Sequence, residues 1–105
     1  MPRCGLAVVR GRSMEPTLHD GDRLLVSYGR EPVPGALAVV RLPGRPGWSV
    51  KRLLRRDGDG WWVERDNRHA GTDSWLVGAV PDRDVPAVVL IRLWPRPGPL
   101  PGPPR

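Results

Sequence analysis

Apolar and polar side chains alternate along this chain in short runs, each closed by glycine, proline or aspartate. A period of two places successive side chains on opposite faces of a strand. The pattern predicts strands at Leu6–Arg10, Arg23–Tyr28, Ala36–Leu42, Trp48–Arg56, Trp61–Arg65 and Pro86–Trp94. "DGDG" at 57–60 predicts a hairpin turn between the fourth and fifth of these. "PVPG" and "LPGRPG" predict further turns. Only Met14–Leu18 has room for a helical turn or two. Strands at this spacing predict an all-β fold, a small β-barrel or coiled antiparallel sheet with at most one short helix. Residues 95–105, "PRPGPLPGPPR", are too rich in proline and glycine to pack. They are expected to form an extended, disordered tail, leaving 1–94 as the single domain.

Length and composition narrow the classes. A chain of 105 residues supports one small core and no separate cofactor domain. The longest apolar patches, Ala36–Val40 and Val85–Trp94, are strand-sized, well short of the ~20 residues that cross a bilayer. The N-terminal apolar run is too short for the hydrophobic region of a signal peptide. A cytoplasmic protein without an integral membrane anchor is expected. Cys4 is the single cysteine, which excludes an internal disulfide and a cysteine-based zinc site. The formal net charge of +6 invites a nucleic-acid partner. The arginines are scattered rather than clustered, however, and abundant Arg, Pro and Gly without Phe indicate a genome-wide composition bias. No nucleic-acid partner is expected. The competing reading from another class is a small basic β-barrel binding module without catalytic activity, taking single-stranded nucleic acid on its tryptophans or a protein.

Two residues stand out chemically. In "GRSMEPTLHDGD", residues 11–22, Ser13 is bracketed by Met14 and Leu18, which a solvated loop has no need of. Lys51 is the only lysine among seventeen basic side chains. Lysine can lose its proton at accessible cost, and arginine cannot. A free lysine titrates near ~10.4, so service as a base at neutral pH needs a downward shift of roughly three units, about 4 kcal/mol. Burial supplies such a shift. Alternation places Lys51 on one strand face with Ser49 and Leu53, and Val50, Arg52 and Leu54 on the other. Ser13 would then be a nucleophile and Lys51 its general base, with backbone N–H groups at the serine turn holding an oxyanion. Glu15 stands where the nucleophile elbow of α/β-hydrolases has its second glycine, so that geometry is not expected.

These stretches resemble the motifs of signal peptidases. "SMEPTLHDGD" is similar to their nucleophile motif, and "VKRLL" at 50–54 to their lysine motif. "VERDNRHAGTDSWLVGAV" at 63–80 resembles their third segment, matching at Asp66, Asn67, Asp73, Ser74 and Gly78. The resemblance implies a mainly β catalytic domain over 1–94, a Ser13–Lys51 dyad and endoproteolysis of a protein precursor without a cofactor or bound metal. Within the family, a short member lacking an anchor and carrying "GWWVERDN" is most like the soluble maturation proteases of nickel superoxide dismutase. The implied substrate is that dismutase's proprotein. Departures from the family pattern are Gly11 at the position of an oxyanion-stabilising serine, Gly71 at that of a lysine-orienting serine, Arg65 for glycine and Trp75 for arginine.

The other candidates have assigned places. Asp66, Asn67, Asp73 and Ser74 are expected to shape the loop beside the dyad, with Asp73 or Ser74 reaching Lys51. Met14 and Gly11 are expected at the cleft and its oxyanion side. Of Trp61 and Trp62, one belongs in the core and the other is a candidate for the cleft wall. His19 and His69 read as surface groups, although a Ser13–His69–Asp73 triad is the competing arrangement. Self-cleaving repressors also use a serine–lysine dyad. The twelve residues before Ser13 and the position of the only Ala-Gly pair, Ala70-Gly71, disfavour that alternative.

Overall fold

A computed structural model describes residues 3–103. Its strands are β1 (Arg3–Val8), β2 (Arg23–Tyr28), β3 (Leu37–Val40), β4 (Ser49–Asp57), β5 (Gly60–Glu64), β6 (Val80–Pro81) and β7 (Ala87–Trp94). They form one antiparallel sheet in the order β1-β2-β7-β3-β4-β5-β6, curled into a half-barrel. The mainly β expectation is correct. The predicted second strand is observed with the same limits, and the fourth and fifth agree to within a residue at each end.

The elements follow from their sequences. The β4–β5 hairpin closes through a two-residue turn, Asp57 pairing with Gly60. Gly58 supplies the positive φ of +59° that the first central position of such a turn requires. A bulge at Leu54 interrupts the hairpin: Leu53 faces Val63 and Arg55 faces Trp62. The extra residue turns Leu54 outward and increases the local twist. Two buried clusters fill the curled sheet. Met14, Leu18, Leu24, Val26, Leu37 and Val50 belong to the first. Ala38, Val40, Leu53, Trp61, Val63 and Val80 belong to the second. Neighbouring residues of β3 and β4 thus enter different clusters, so these central strands are covered on both faces. Each buried Leu or Val contributes about 1.5–3 kcal/mol.

The differences are local. The one α-helix among the described residues, α1 (Ser74–Val77), lies in the third motif and not at Met14–Leu18. Asp73 starts it by accepting the Trp75 N–H at 3.1 Å. β1 begins earlier than predicted and lies at an edge of the sheet, with Leu6 71 % exposed. In the segment after β7, Gly98 pairs with Arg92, Leu100 packs on the first cluster, and the carbonyls of Pro101 and Gly102 accept from Arg52 at 3.4 Å. Backbone acceptors and one leucine hold a segment whose composition alone argued against packing.

Candidate active site

Ser13 lies in the loop of residues 9–22 that joins β1 to β2. The loop is closed at its neck by Val9 N–H to the Asp22 carbonyl (2.9 Å) and Gly21 N–H to the Val9 carbonyl (2.8 Å). Inside it, the Leu18 N–H donates to the Met14 carbonyl at 2.8 Å, a single helical turn. Met14 and Leu18 are 1 % and 0 % exposed. They anchor the loop in the core, and this is why apolar side chains bracket the serine. Ser13 itself is half-buried and faces a cleft.

The third motif clamps this loop from outside. Asn67 uses both of its nitrogens: its N–H donates to the Ser13 carbonyl at 2.8 Å, and Nδ2 donates to the Arg12 carbonyl at 2.8 Å. Asp66 accepts from Thr17 Oγ1 at 2.5 Å, and its N–H donates to Met14 Sδ at 3.4 Å. Asp66 also receives Arg52 Nη2 at 2.7 Å in an ion pair whose side chains are 5 % and 3 % exposed. The two carbonyls around Ser13 and the far end of its loop are therefore fixed by consecutive residues of one segment.

Gly71 completes the enclosure. Its φ is +87°, and a Cβ there would lie 2.3 Å from the Ser13 Cβ. A serine at this position, as some signal peptidases have, would collide with the nucleophile candidate. Glycine instead lets the 70–72 backbone pack against Ser13, and the Arg65 guanidinium donates to the Gly71 carbonyl.

Lys51 arrives from β4, opposite the small and fully buried Ala38 of β3. Its Nζ lies 2.7 Å from Ser13 Oγ across thirty-eight positions of sequence. The residue is 3 % exposed. Burial is the main cause that lowers its pKa from 10.5 to about 8; Asp73 acts in the opposite direction by favouring the ammonium, and Arg65 lowers it further. Asp73 acts through its field, because its oxygens are taken: Oδ1 caps α1, and Oδ2 accepts the Arg65 N–H at 3.2 Å with the Arg65 guanidinium 3.7 Å away. Ser74 Oγ accepts the buried Val63 N–H at 2.8 Å. Neither Asp73 nor Ser74 hydrogen-bonds Lys51, so the expected direct contact is not made. The structure likewise brings Lys51, and not His69, to Ser13; His69 is exposed and its backbone N–H donates to Asn67 Oδ1.

The cleft has a volume of about 370 Å³ and is lined by residues 7–14, by parts of 39–51, and by Gly71 and Thr72. Met14 and Gly11 both reach it. The Gly11 N–H is already given to Asp20 Oδ1 at 2.7 Å, so it is not free to donate into the cleft. Trp61 is core, whereas Trp62 is half-buried with its ring edge-on to Trp75 at 5.2 Å and does not line the cleft. The tryptophan at the cleft is Trp48. Among the described residues, no three His, Cys, Asp or Glu side chains are grouped to hold a metal ion, and no helix is long and apolar enough to cross a membrane.

Residues 2–75 match the Peptidase S24-like family, a span that takes in Ser13, Lys51 and the loop from Asp66 to Ser74. The chain belongs to that family. No curated protein matches it. Membership in an S24-like peptidase family points to peptide-bond hydrolysis and to a polypeptide substrate.

Sequence reasoning missed three features of this S24-like site. Alternation puts Arg52 on a strand face and gives no sign of its buried pairing with Asp66. An arginine inside "VKRLL" needs a carboxylate wherever it is covered, and that requirement was the available signal. Thr17, within the nucleophile motif, holds Asp66. Trp48 and Arg45 reach the cleft from the β3–β4 connection, where turn residues gave no hint of a functional wall.

Proposed function

We propose that this protein is a serine endopeptidase in which Ser13 is the nucleophile and Lys51 the general base. Residues 1–94 would be its catalytic domain, with 95–105 as an appended segment. The observation that supports this reading is the 2.7 Å approach of a buried lysine amine, with its pKa lowered to about 8, to a serine hydroxyl in a cleft. Unprotonated Lys51 takes the hydroxyl proton as Ser13 Oγ bonds to the substrate carbonyl carbon. The resulting Lys51 ammonium returns that proton to the departing amine as the C–N bond breaks. Water then attacks the acyl-serine ester, again losing a proton to Lys51, and a carboxylic acid product leaves as Ser13 regains its hydrogen.

The Ser13 N–H has no acceptor among the described residues. We assign it to the developing oxyanion, where a fixed donor is worth more than in water. Asn67, Asp66 and Gly71 are positioning residues that hold Ser13 against Lys51. The free edge of β1 borders the cleft and offers unpaired N–H and C=O groups to an extended substrate.

For the substrate we propose a protein precursor from which an N-terminal propeptide is removed in the cytoplasm. Resemblance to the maturation proteases favours the nickel superoxide dismutase proprotein. The test is incubation of that precursor with the purified protein and with its Ser13→Ala and Lys51→Met variants, followed by mass spectrometry. Processing by the native chain alone is expected, with both variants reduced at least about a thousandfold. Equal processing by all three would overturn the dyad.

A further inference from the structure

The cleft beside Ser13 carries one sign of charge. Arg10, Arg12, Arg45 and Lys51 line it, and no carboxylate does. Two of the four cations are engaged: Lys51 with Ser13, and Arg12 with Glu15 at 3.2 Å. Arg10 and Arg45 are exposed, and their guanidinium groups make no hydrogen bond or ion pair among the described residues. They come from the two segments that form the cleft, one just past the end of β1 and the other in the β3–β4 connection. The lining also includes the apolar Ala7, Val39 and Val50. A partly apolar lining that also carries unpaired guanidinium groups fits an extended peptide that brings its own carboxylates, since a hydrogen bond between charged groups is shorter and stronger than a neutral one.

We infer that the cleft selects polypeptide segments carrying aspartate or glutamate within a few residues of the bond held at Ser13, with Arg10 and Arg45 as the specificity-determining residues. This rests on the peptidase reading for the position of the bond. Arg10 precedes Ser13 by three residues in sequence, a reach of at most about 10 Å along an extended chain. An acidic side chain is therefore wanted near the reacting carbonyl and not at a remote site. A nucleic acid is the poorer occupant. Trp48, Trp61, Trp62 and Trp94 each have one ring face covered by an arginine, at 4.7, 5.0, 5.1 and 5.1 Å respectively. The ring at the cleft is thus partly used up as a stacking platform for bases.

The test uses two fluorescein-labelled peptide series of one parent sequence, differing only in Asp/Glu against Asn/Gln near its centre. Anisotropy is measured with the full-length Ser13→Ala protein, which binds without turnover, at about 0.15 M salt. The acidic series is expected to bind about tenfold tighter. Arg10→Gln and Arg45→Gln, each added to that background, are expected to reduce the preference, and Arg23→Gln, which lies outside the cleft, to keep it. Equal binding of the two series, no binding of either, or equally tight binding of a single-stranded oligonucleotide overturns the inference. Cleavage of the same peptides by the native chain is scored separately. Failure to cleave them counts against the peptidase reading, while the anisotropy result alone decides the specificity.

Discussion

Lys51 is a cation folded into a place that favours its neutral form. Burial lowers its pKa to about 8, against the pull of Asp73, which favours the charge. The base in the proposed reaction is the uncharged amine. Activity should therefore rise with pH through an acid limb near 8 and level off above it. Replacing Asp73 with Asn removes the group that favours the ammonium while keeping an oxygen to cap α1. The limb is expected to move to lower pH, raising relative activity at pH 7 about threefold. A pH profile of kcat/KM checks this, and a limb that stays in place or moves upward contradicts it. At this scale the sequence was informative about placement, because the lone lysine of an arginine-rich chain is the side chain that reaches Ser13 Oγ. What it did not disclose was the route by which the loop acts. Asp73 and Ser74 were expected to touch Lys51, yet their oxygens serve the α1 N-terminus, the Arg65 N–H and the Val63 N–H. Short polar side chains satisfy whichever backbone donor lies nearest, and that depends on a loop path no local pattern encodes.

At the scale of elements, the site is held by a connection between the nucleophile loop, β4 and the segment after β5. Asp66 joins all three through Thr17 and Arg52. Asp66→Ala would leave Arg52 buried without its carboxylate, and the expected loss of stability is about 3–5 kcal/mol. Urea unfolding measures it; a loss below about 1 kcal/mol would mean that the Pro101 and Gly102 carbonyls or water suffice for the guanidinium. Strand positions were legible because apolar runs are bounded by polar or turn residues, as in β2, where Leu24 and Val26 are buried and the end residues Arg23 and Tyr28 are not. The helix was misplaced for a physical reason. Pro16 cannot supply an N–H inside Met14–Leu18, so that stretch makes one turn and stops. In contrast, Asp73 before "SWLV" is a capping signal that is easily read as loop when the helix spans only four residues.

For the whole molecule, the order of strands is what the sequence hides. The last strand, β7, inserts between β2 and β3, and it pairs with both. Such non-local pairing follows from which faces bury together and leaves no local signature. The chain beyond β7 belongs to the same fabric, with Leu100 on the core and two carbonyls on Arg52. Ending the chain after Trp94 is expected to lower stability by about 2 kcal/mol, most of it the burial of Leu100. An unchanged urea midpoint for the shortened protein would show that this segment contributes nothing.

The placement of β7 also orders events in time. Ser13 hangs from the β1–β2 hairpin and Lys51 belongs to the β3–β4 pair, and within the described sheet those two pieces meet only through β7. During synthesis, hydroxyl and amine would be present on separate hairpins long before the sheet could bring them together. The sheet that holds the candidate pair together is thus incomplete until β7 has been made.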